Sequence, residues 1–174
     1  MKTDHFKNVF LQRSTICQGQ GVFAVRNIAQ NEIVMPLTGP LLTYDQCIQL
    51  PPELYDKSLQ IGANIYRGPS GDVDYFVNHS CDPNSYVSIN DVLTLVTLRP
   101  IQRLEEIVFD YSTTMDEDHW EMDCTCGSSR CRGRVRDFKY LPEEIQQQYI
   151  ALGIAPAYIL EGLCQRKQLG LGFR

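Results

Sequence analysis

The sequence has no apolar run long enough to cross a membrane. Its longest uncharged stretches, such as residues 33–44, are short and interrupted by Pro, Gly and Thr, whereas a spanning helix needs about 20 consecutive apolar residues. The first residues lack an apolar segment and include Asp4, Lys7 and Arg13, so no secretory signal is visible. Repeats, low-complexity segments and obvious linkers are absent as well. We therefore expect one cytoplasmic domain with a small appendage, with a nuclear or host-delivered protein as the alternatives.

An excess of positive charge is also missing. The 174 residues include 16 Lys and Arg against 21 Asp and Glu, which gives a formal net charge of −5. This balance argues against non-specific nucleic-acid binding and is compatible with a basic partner. Apolar residues make up 43% of the chain, which is enough for a packed core and excludes wholesale disorder.

Helical patterns are scarce in the first two thirds of the chain. Short apolar runs are separated there by Gly, Pro and Asn, which is typical of short strands. These runs cover residues 22–25, 32–35, 86–89, 92–98 and 106–109. The third and fourth runs predict a hairpin that turns at Asn90 and Asp91. The sequence therefore predicts a mainly β fold.

Two helices are predicted outside these strands. The first lies in the tail, with Pro142 at its first position, an apolar stripe of Ile145, Tyr149 and Leu152, and Gly153 at its end. The second is short and covers residues 44–50, where the following pair of prolines stops it.

Seven cysteines are present, an odd number in a chain without a visible export signal. In a reducing compartment, clustered thiols are more often metal ligands than disulfides. Three of them lie within eight residues: Cys124, Cys126 and Cys131. Three thiolates do not complete a tetrahedral zinc site, so a fourth ligand must come from Cys81, from His119 or from a remote cysteine. The other three are isolated, and we expect them to be small buried apolar side chains: Cys17, Cys47 and Cys164.

A polar loop, Asn-His-Ser-Cys-Asp-Pro-Asn at residues 78–84, interrupts the strand pattern. Its backbone and side-chain polar groups need partners, which an Asx-rich turn or a binding site would supply. A nucleophilic Cys81 activated by His79 is a third interpretation, although no oxyanion hole or activating carboxylate accompanies the pair. Gly19-Gln20-Gly21 is a weak signal alone, because it lacks the rest of a dinucleotide fingerprint.

Taken together, these motifs resemble the signatures of SET-domain protein-lysine methyltransferases. The resemblance rests on the Gly-Gln-Gly turn before a Val-Phe strand, the loop at residues 78–84, and Glu-Glu-Ile-Val-Phe-Asp-Tyr at residues 105–111, in that order. The cysteine cluster at residues 124–133 resembles the post-SET zinc motif of that family. The match covers roughly residues 8–136, and the tail at residues 138–144 resembles those of small bacterial members.

The resemblance implies a fold of several small twisted sheets with a knot-like threaded segment, a zinc-bound lid and a helical tail. It divides the chain into a SET domain at residues 1–115, a post-SET zinc segment at residues 116–136 and a C-terminal helical extension at residues 137–174. It implies S-adenosylmethionine as cofactor and a lysine side chain in a basic protein, histone or histone-like, as substrate. The cofactor-binding residues it implies are Gly19, Gln20, Gly21, Val22, Asn78, His79 and Val135. The ligands of one structural zinc ion would be Cys81, Cys124, Cys126 and Cys131.

The resemblance also implies the catalytic residues. Tyr111 would lie at the inner end of the lysine channel and polarise and orient the reacting groups. Phe109 occupies the position where Phe accompanies di- and trimethylation, so we expect transfer of more than one methyl group.

Two positions depart from the family pattern. Leu37 stands where many members have the Tyr of a Tyr-x-Gly motif, and Tyr75 replaces an Arg found three residues before the Asn-His pair. Either Tyr75 or Tyr66 compensates, or the protein is a weak or inactive module that binds a peptide.

An acidic stretch surrounds the catalytic motif. Residues 104–129 contain eight acidic residues and no Lys or Arg. Such a stretch is either a solvated loop or an acidic lip that attracts a Lys/Arg-rich peptide, with Asp116, Glu117 and Asp118 as its exposed members. The alternating arginines at residues 130–136 more often lie on a solvated or ion-paired surface than on nucleic acid, so direct nucleic-acid binding is not expected.

Overall fold

The computed structural model describes residues 6–90 and 92–168. Twelve short strands are assigned within these ranges: β1 (Val9–Arg13), β2 (Gln20–Ala24), β3 (Ile33–Pro36), β4 (Leu41–Leu42), β5 (Leu59–Gly62), β6 (Ile65–Arg67), β7 (Asn78–His79), β8 (Ser85–Ile89), β9 (Leu93–Thr97), β10 (Glu106–Phe109), β11 (Met122–Asp123) and β12 (Arg134–Val135). The helices are α1 (Tyr44–Cys47), α2 (Pro52–Tyr55), α3 (Glu143–Ala151) and α4 (Ala157–Gln168). The mainly β fold is confirmed.

A seven-stranded sheet carries most of the core. Its strands run in the order β1-β2-β10-β8-β9-β3, and β7 also pairs with β10. Strand β10 is antiparallel to β2 but parallel to β7 and β8. The glycine turn, the polar loop and the strand before Tyr111 therefore meet at one place, although they are far apart in sequence. Two smaller sheets, β4-β6-β5 and β11-β12, flank this region.

The predicted hairpin is present as β8 and β9, which pair from Ser85 with Thr97 to Ile89 with Leu93. Its predicted turn includes Asp91, which lies outside the described residues. The alternating side chains of the hairpin and of β2 pack into one apolar core. None of the described helices is long and apolar enough to span a membrane.

The helices differ partly from the sequence predictions. In the tail helix, Pro142 is the residue before α3 instead of its first residue, and Gly153 follows its end with a φ of 68°. The helix predicted at residues 44–50 is only α1, because the capping box between Thr43 and Gln46 fixes its start and the prolines begin the separate α2.

Helix α4 was not predicted. Only Ile159 and Leu163 are buried along it, which is too narrow a stripe to recognise. Gly162 lies in its middle, where a Cβ atom would be 2.3 Å from a carboxylate oxygen of Asp116. The helix is held through a second core that contains Phe138, Tyr149 and Ile159.

The isolated cysteines were predicted incorrectly in two cases. Cys47 is buried as expected, but Cys17 and Cys164 are exposed. Cys17 lies in the turn before Gly19, and Cys164 lies on the outer face of α4, so neither contributes to a core.

Candidate functional site

Tyr111 begins a short 3-10 helix directly after β10. Asp110 caps this helix, because its carboxylate accepts a hydrogen bond of 3.1 Å from the backbone N–H of Ser112. The Tyr111 hydroxyl donates to the backbone carbonyl of Val77 at 2.8 Å, and its backbone N–H donates to Nδ1 of His79 at 3.1 Å. Burial, with a smaller contribution from the nearby Cys17 thiol, raises the pKa of Tyr111. The phenol therefore stays protonated at neutral pH. Tyr111 is held both through its hydroxyl and through its backbone N–H.

His79 joins the segment that carries Tyr111 to the cysteine cluster. Because Nδ1 accepts from Tyr111, the ring proton is on Nε2, which lies 3.3 Å from Sγ of Cys81. Burial lowers the pKa of His79 to about 4, against the opposing effect of Asp110. A neutral imidazole is therefore positioned to donate a hydrogen bond to a cysteine sulfur, as is common around metal-bound thiolates.

Asp110 is fully buried and holds two later segments of the chain. Its carboxylate accepts from Arg132 at 2.7 Å and from the Tyr149 hydroxyl at 3.0 Å. Arg132 belongs to the cysteine segment and Tyr149 to α3. The residue that precedes Tyr111 is thus the point to which the cysteine segment and the helical tail are both attached.

The glycine turn lies beside Asn78. The Asn78 side chain donates to the backbone carbonyl of Gln20 at 2.9 Å and to Glu106 at 3.0 Å. A Cβ atom at Gly21 would be 2.2 Å from an oxygen of Glu106, so a side chain there would displace this carboxylate. Gly19 adopts a φ of 139°, a conformation that favours glycine. The side chain of Val22 points into the core, so only its backbone faces this turn.

Glu106 is a residue of this site that the sequence analysis did not single out. Its buried carboxylate also accepts from the hydroxyl of Ser14 at 2.8 Å and from the backbone N–H of Thr15 at 2.7 Å. Burial opposes ionisation, but the hydrogen bonds outweigh it and lower the pKa of Glu106. Its position at the start of the strand that leads to Tyr111 is the signal that could have indicated this role.

The four predicted metal ligands come together. The sulfur atoms of Cys81, Cys124, Cys126 and Cys131 all lie within 4.8 Å of one another. Two of the separations, from Cys124 to Cys81 and to Cys131, are 3.8 and 3.7 Å. Tetrahedral zinc with Zn–S bonds of about 2.3 Å requires sulfur separations of about 3.8 Å. The cluster is therefore compatible with one zinc ion.

The alternative fourth ligand, His119, lies elsewhere. Its ring stacks on Tyr44 with centroids 4.0 Å apart. Val135 is fully buried against the cysteine cluster and is not among the residues of the glycine turn. Its predicted contact with the cofactor therefore stays a prediction.

A cavity of about 130 Å³ opens beside Tyr111. Six aromatic side chains line it: Tyr55, Tyr66, Tyr75, Phe109, Tyr111 and Trp120. The ring centroids of Phe109 and Tyr111 are 4.8 Å apart, so both predicted catalytic residues lie in its wall. Leu37 lines the cavity together with Tyr66 and Tyr75. Trp120, the single tryptophan, was not predicted as part of this wall.

The expected acidic lip is wrong for two of its three members. Asp116 forms an ion pair with Arg166, and its side chain is only 12% exposed. Glu117 lines the aromatic cavity and is half-buried, whereas Asp118 is exposed and pairs with Lys139. The tail supplies both cations, which is why the acidic stretch alone could not reveal them.

Comparison with known proteins agrees with this arrangement. The family described as SET domain matches residues 19–112. Histone-lysine N-methyltransferase trr of Drosophila melanogaster is 28% identical over 146 residues, which cover 76% of this chain and 6% of that protein. Histone-lysine N-methyltransferase 2B of Homo sapiens is 30% identical over 138 residues, which cover 71% of this chain and 5% of that protein. Histone-lysine N-methyltransferase ATX2 of Arabidopsis thaliana is 28% identical over 152 residues, which cover 79% of this chain and 14% of that protein. The chain thus matches only a small part of the length of these relatives.

Proposed function

Because this chain belongs to the SET domain family, we propose that it is a protein-lysine N-methyltransferase that uses S-adenosylmethionine. The observation that carries the proposal is the aromatic cavity that contains both Phe109 and Tyr111. The cavity adjoins β10, the strand that ends at Phe109. This strand pairs with β2, which includes Gly21, and with Asn78 in β7. A cavity with six aromatic rings in its wall, one of them the anchored phenol of Tyr111, fits a lysine side chain.

The donor set beside Tyr111 suits the proposed cofactor. Gly19 and Gln20 are exposed and lie next to the side-chain amide of Asn78. Backbone and amide groups of this kind suit the polar amino-acid part of S-adenosylmethionine. When bound, S-adenosylmethionine supplies a sulfonium methyl group that needs no acid to leave. In this proposal, Tyr111 orients the amine and the methyl group within the site.

The cavity also contributes to the state of the lysine. The amine must lose its proton before it attacks, and with an ordinary pKa of about 10.4 this costs roughly 4–5 kcal/mol at pH 7. Aromatic walls exclude water and disfavour the charged form by desolvation. Phe109 adds no hydroxyl that would hold a water molecule, which supports our proposal that more than one methyl group is transferred.

The cysteine cluster supports a structural role for one zinc ion. The four cysteines would hold it, and His79 and the backbone N–H of Arg132 would donate to Cys81. Because His79 also accepts from the backbone of Tyr111, we propose that zinc fixes the segment that carries the catalytic phenol.

The substrate that fits best is a basic protein, histone or histone-like. The named relatives are histone-lysine N-methyltransferases, and the net charge of −5 suits a Lys/Arg-rich partner. Leu37 favours an alternative, a SET module that binds a peptide without turnover, whereas the two cavity tyrosines support activity.

One assay distinguishes these functions. Tritiated S-adenosylmethionine is incubated with a panel of basic proteins, and the wild type is compared with Tyr111→Phe. Methyl transfer by the wild type that is lost in Tyr111→Phe supports the methyltransferase. Cofactor binding without transfer supports the inactive module, and a folded protein that does neither contradicts both.

A further inference from the structure

Glu117 is a carboxylate in the wall of the aromatic cavity. One of its oxygens accepts from the Tyr66 hydroxyl, and the other accepts from the backbone N–H of Asn64 at 3.0 Å. Asn64 adopts a φ of 55° in the turn between β5 and β6, so this contact ties the carboxylate to that turn. The carboxylate is therefore held in a fixed orientation at the cavity.

Glu117 differs from the acidic residues near it in the sequence, because these form ion pairs and Glu117 forms none within the described part of the chain. Asp116 pairs with Arg166, Asp118 pairs with Lys139, and the buried Asp110 pairs with Arg132. Among residues 6–90 and 92–168, no Lys, Arg or His nitrogen lies within 4.0 Å of the Glu117 carboxylate. A half-buried carboxylate among aromatic rings is a favourable place for an incoming cation.

Other carboxylates of the cavity wall differ from Glu117, and one of them, the buried Asp137, lies 3.5 Å from the ammonium group of Lys139. Asp74 is occupied by hydrogen bonds from Thr38 and Ser70, and Asp56 accepts from the indole N–H of Trp120 at 3.0 Å. Lys57 also lines the cavity, but it is exposed and lies over the ring of Tyr75 at 5.3 Å. Glu117 is half-buried at the cavity, and each of its oxygens accepts only one hydrogen bond from a neutral donor, whereas Asp74 accepts three and Asp56 is exposed.

We propose that Glu117, oriented by the phenol of Tyr66, recognises the ammonium group of the substrate lysine as it enters the cavity. The proposal rests on the function proposed above and adds a residue that selects a charged side chain over a neutral one. The ion pair and the surrounding aromatic rings act on the lysine before it loses its proton. Glu117 therefore acts in binding, and Tyr111 acts in the transfer step.

The test is a comparison of two synthetic peptides with the full chain. Both have ten residues with flanking arginines, and the central residue is lysine in one and norleucine in the other, which has no ammonium group. We expect Glu117→Gln to weaken binding of the lysine peptide about tenfold, since hydrogen bonds to charged groups contribute this much. Binding of the norleucine peptide should change by less than about twofold. Equal losses for both peptides, or no loss for either, would overturn the proposal.

Glu161→Gln is the matched control, because Glu161 is exposed on α4 and lies outside the cavity. It removes the same charge and should leave both affinities unchanged within about twofold. If Glu117→Gln does not fold, Tyr66→Phe retains the carboxylate but removes the phenol that orients it. The preference for lysine over norleucine should then shrink at least about twofold, and an unchanged preference would contradict the proposed role of Tyr66.

Turnover provides the second readout. With an active wild type, Glu117→Gln should raise KM for the lysine peptide about tenfold and change kcat by less than about threefold. A large fall in kcat with an unchanged KM would show that Glu117 acts in the transfer step and would overturn a role in recognition. If the wild type transfers no methyl group, the proposed function fails, whereas the peptide comparison still decides whether Glu117 recognises the ammonium group.

Discussion

Replacing Arg132 with methionine should destabilise the folded protein by about 3–5 kcal/mol. The guanidinium donates to Asp110 at 2.7 Å, and the side chains are 11% and 0% exposed. Removal of one partner from such a buried pair leaves an uncompensated charge, and this cost is far larger than that of a surface pair. The hydrogen bonds that remain, from Ser112 and Tyr149, come from neutral groups.

The assay is urea unfolding of zinc-loaded protein, followed by the fluorescence of Trp120. Arg130→Met is a matched control two residues away, because Arg130 pairs with Asp82 at 3.5 Å and both side chains are about half exposed. This control should cost less than about 1 kcal/mol. Equal losses for the two variants would refute the reasoning that the buried pair fastens the cysteine segment to the catalytic strand.

A double variant checks the cause of the loss. Asp110→Asn removes the buried charge, so the combination with Arg132→Met should be less destabilised than the sum of the single variants. Additive losses would mean that the two side chains contribute independently.

The remaining predictions concern zinc, product and pH. Cys81→Ser should reduce zinc content, measured by mass spectrometry of the metal. It should also reduce cofactor affinity, measured by calorimetry. Unchanged cofactor binding after zinc loss would show that the two halves of the polar loop are independent. Mass spectrometry of the product should detect di- or trimethyl-lysine for the wild type and mainly monomethyl-lysine for Phe109→Tyr; monomethyl product from both proteins would argue against the role of Phe109. Because the folded pKa of Glu106 lies below its ordinary value of 4.5, its contribution to stability is complete above about pH 4.5 and is lost as the pH falls through the folded pKa. The difference in unfolding free energy between the wild type and Glu106→Gln should therefore shrink on acidification from about pH 6 to pH 3, and a constant difference would contradict this linkage.

The sequence predicted the elements of the site whose residue types are tied to chemistry. The cysteine cluster and its fourth member, Cys81, converge as expected, and Tyr111 follows a buried strand. A zinc site needs a few cysteines, and the catalytic position needs a tyrosine at the end of a strand. Because these residue types are specific and closely spaced in the chain, one sequence is enough to recognise them. The mainly β fold followed from short apolar runs separated by turn residues.

Residues whose role depends on distant partners were not singled out from the sequence. Glu106 stands in a predicted strand and Glu117 in a stretch expected to be a solvated loop or an acidic lip, but their partners include Thr15 and Tyr66, from remote parts of the chain. Helix α4 escaped recognition because it buries only two residues against the tail core. The directions of these side chains follow from tertiary packing, which local sequence patterns do not encode.

The most direct test of the central claim is the initial rate of methyl transfer to a lysine-containing basic protein by the wild type and by Tyr111→Phe. Both proteins should bind S-adenosylmethionine with similar affinity, because the hydroxyl that is removed donates to the backbone carbonyl of Val77 and not to the glycine turn. The substitution should lower the rate at least about 100-fold, as removal of a positioned polar group in an active site does. Equal rates for the two proteins, or no transfer by a folded, zinc-loaded wild type that binds the cofactor, would contradict the account.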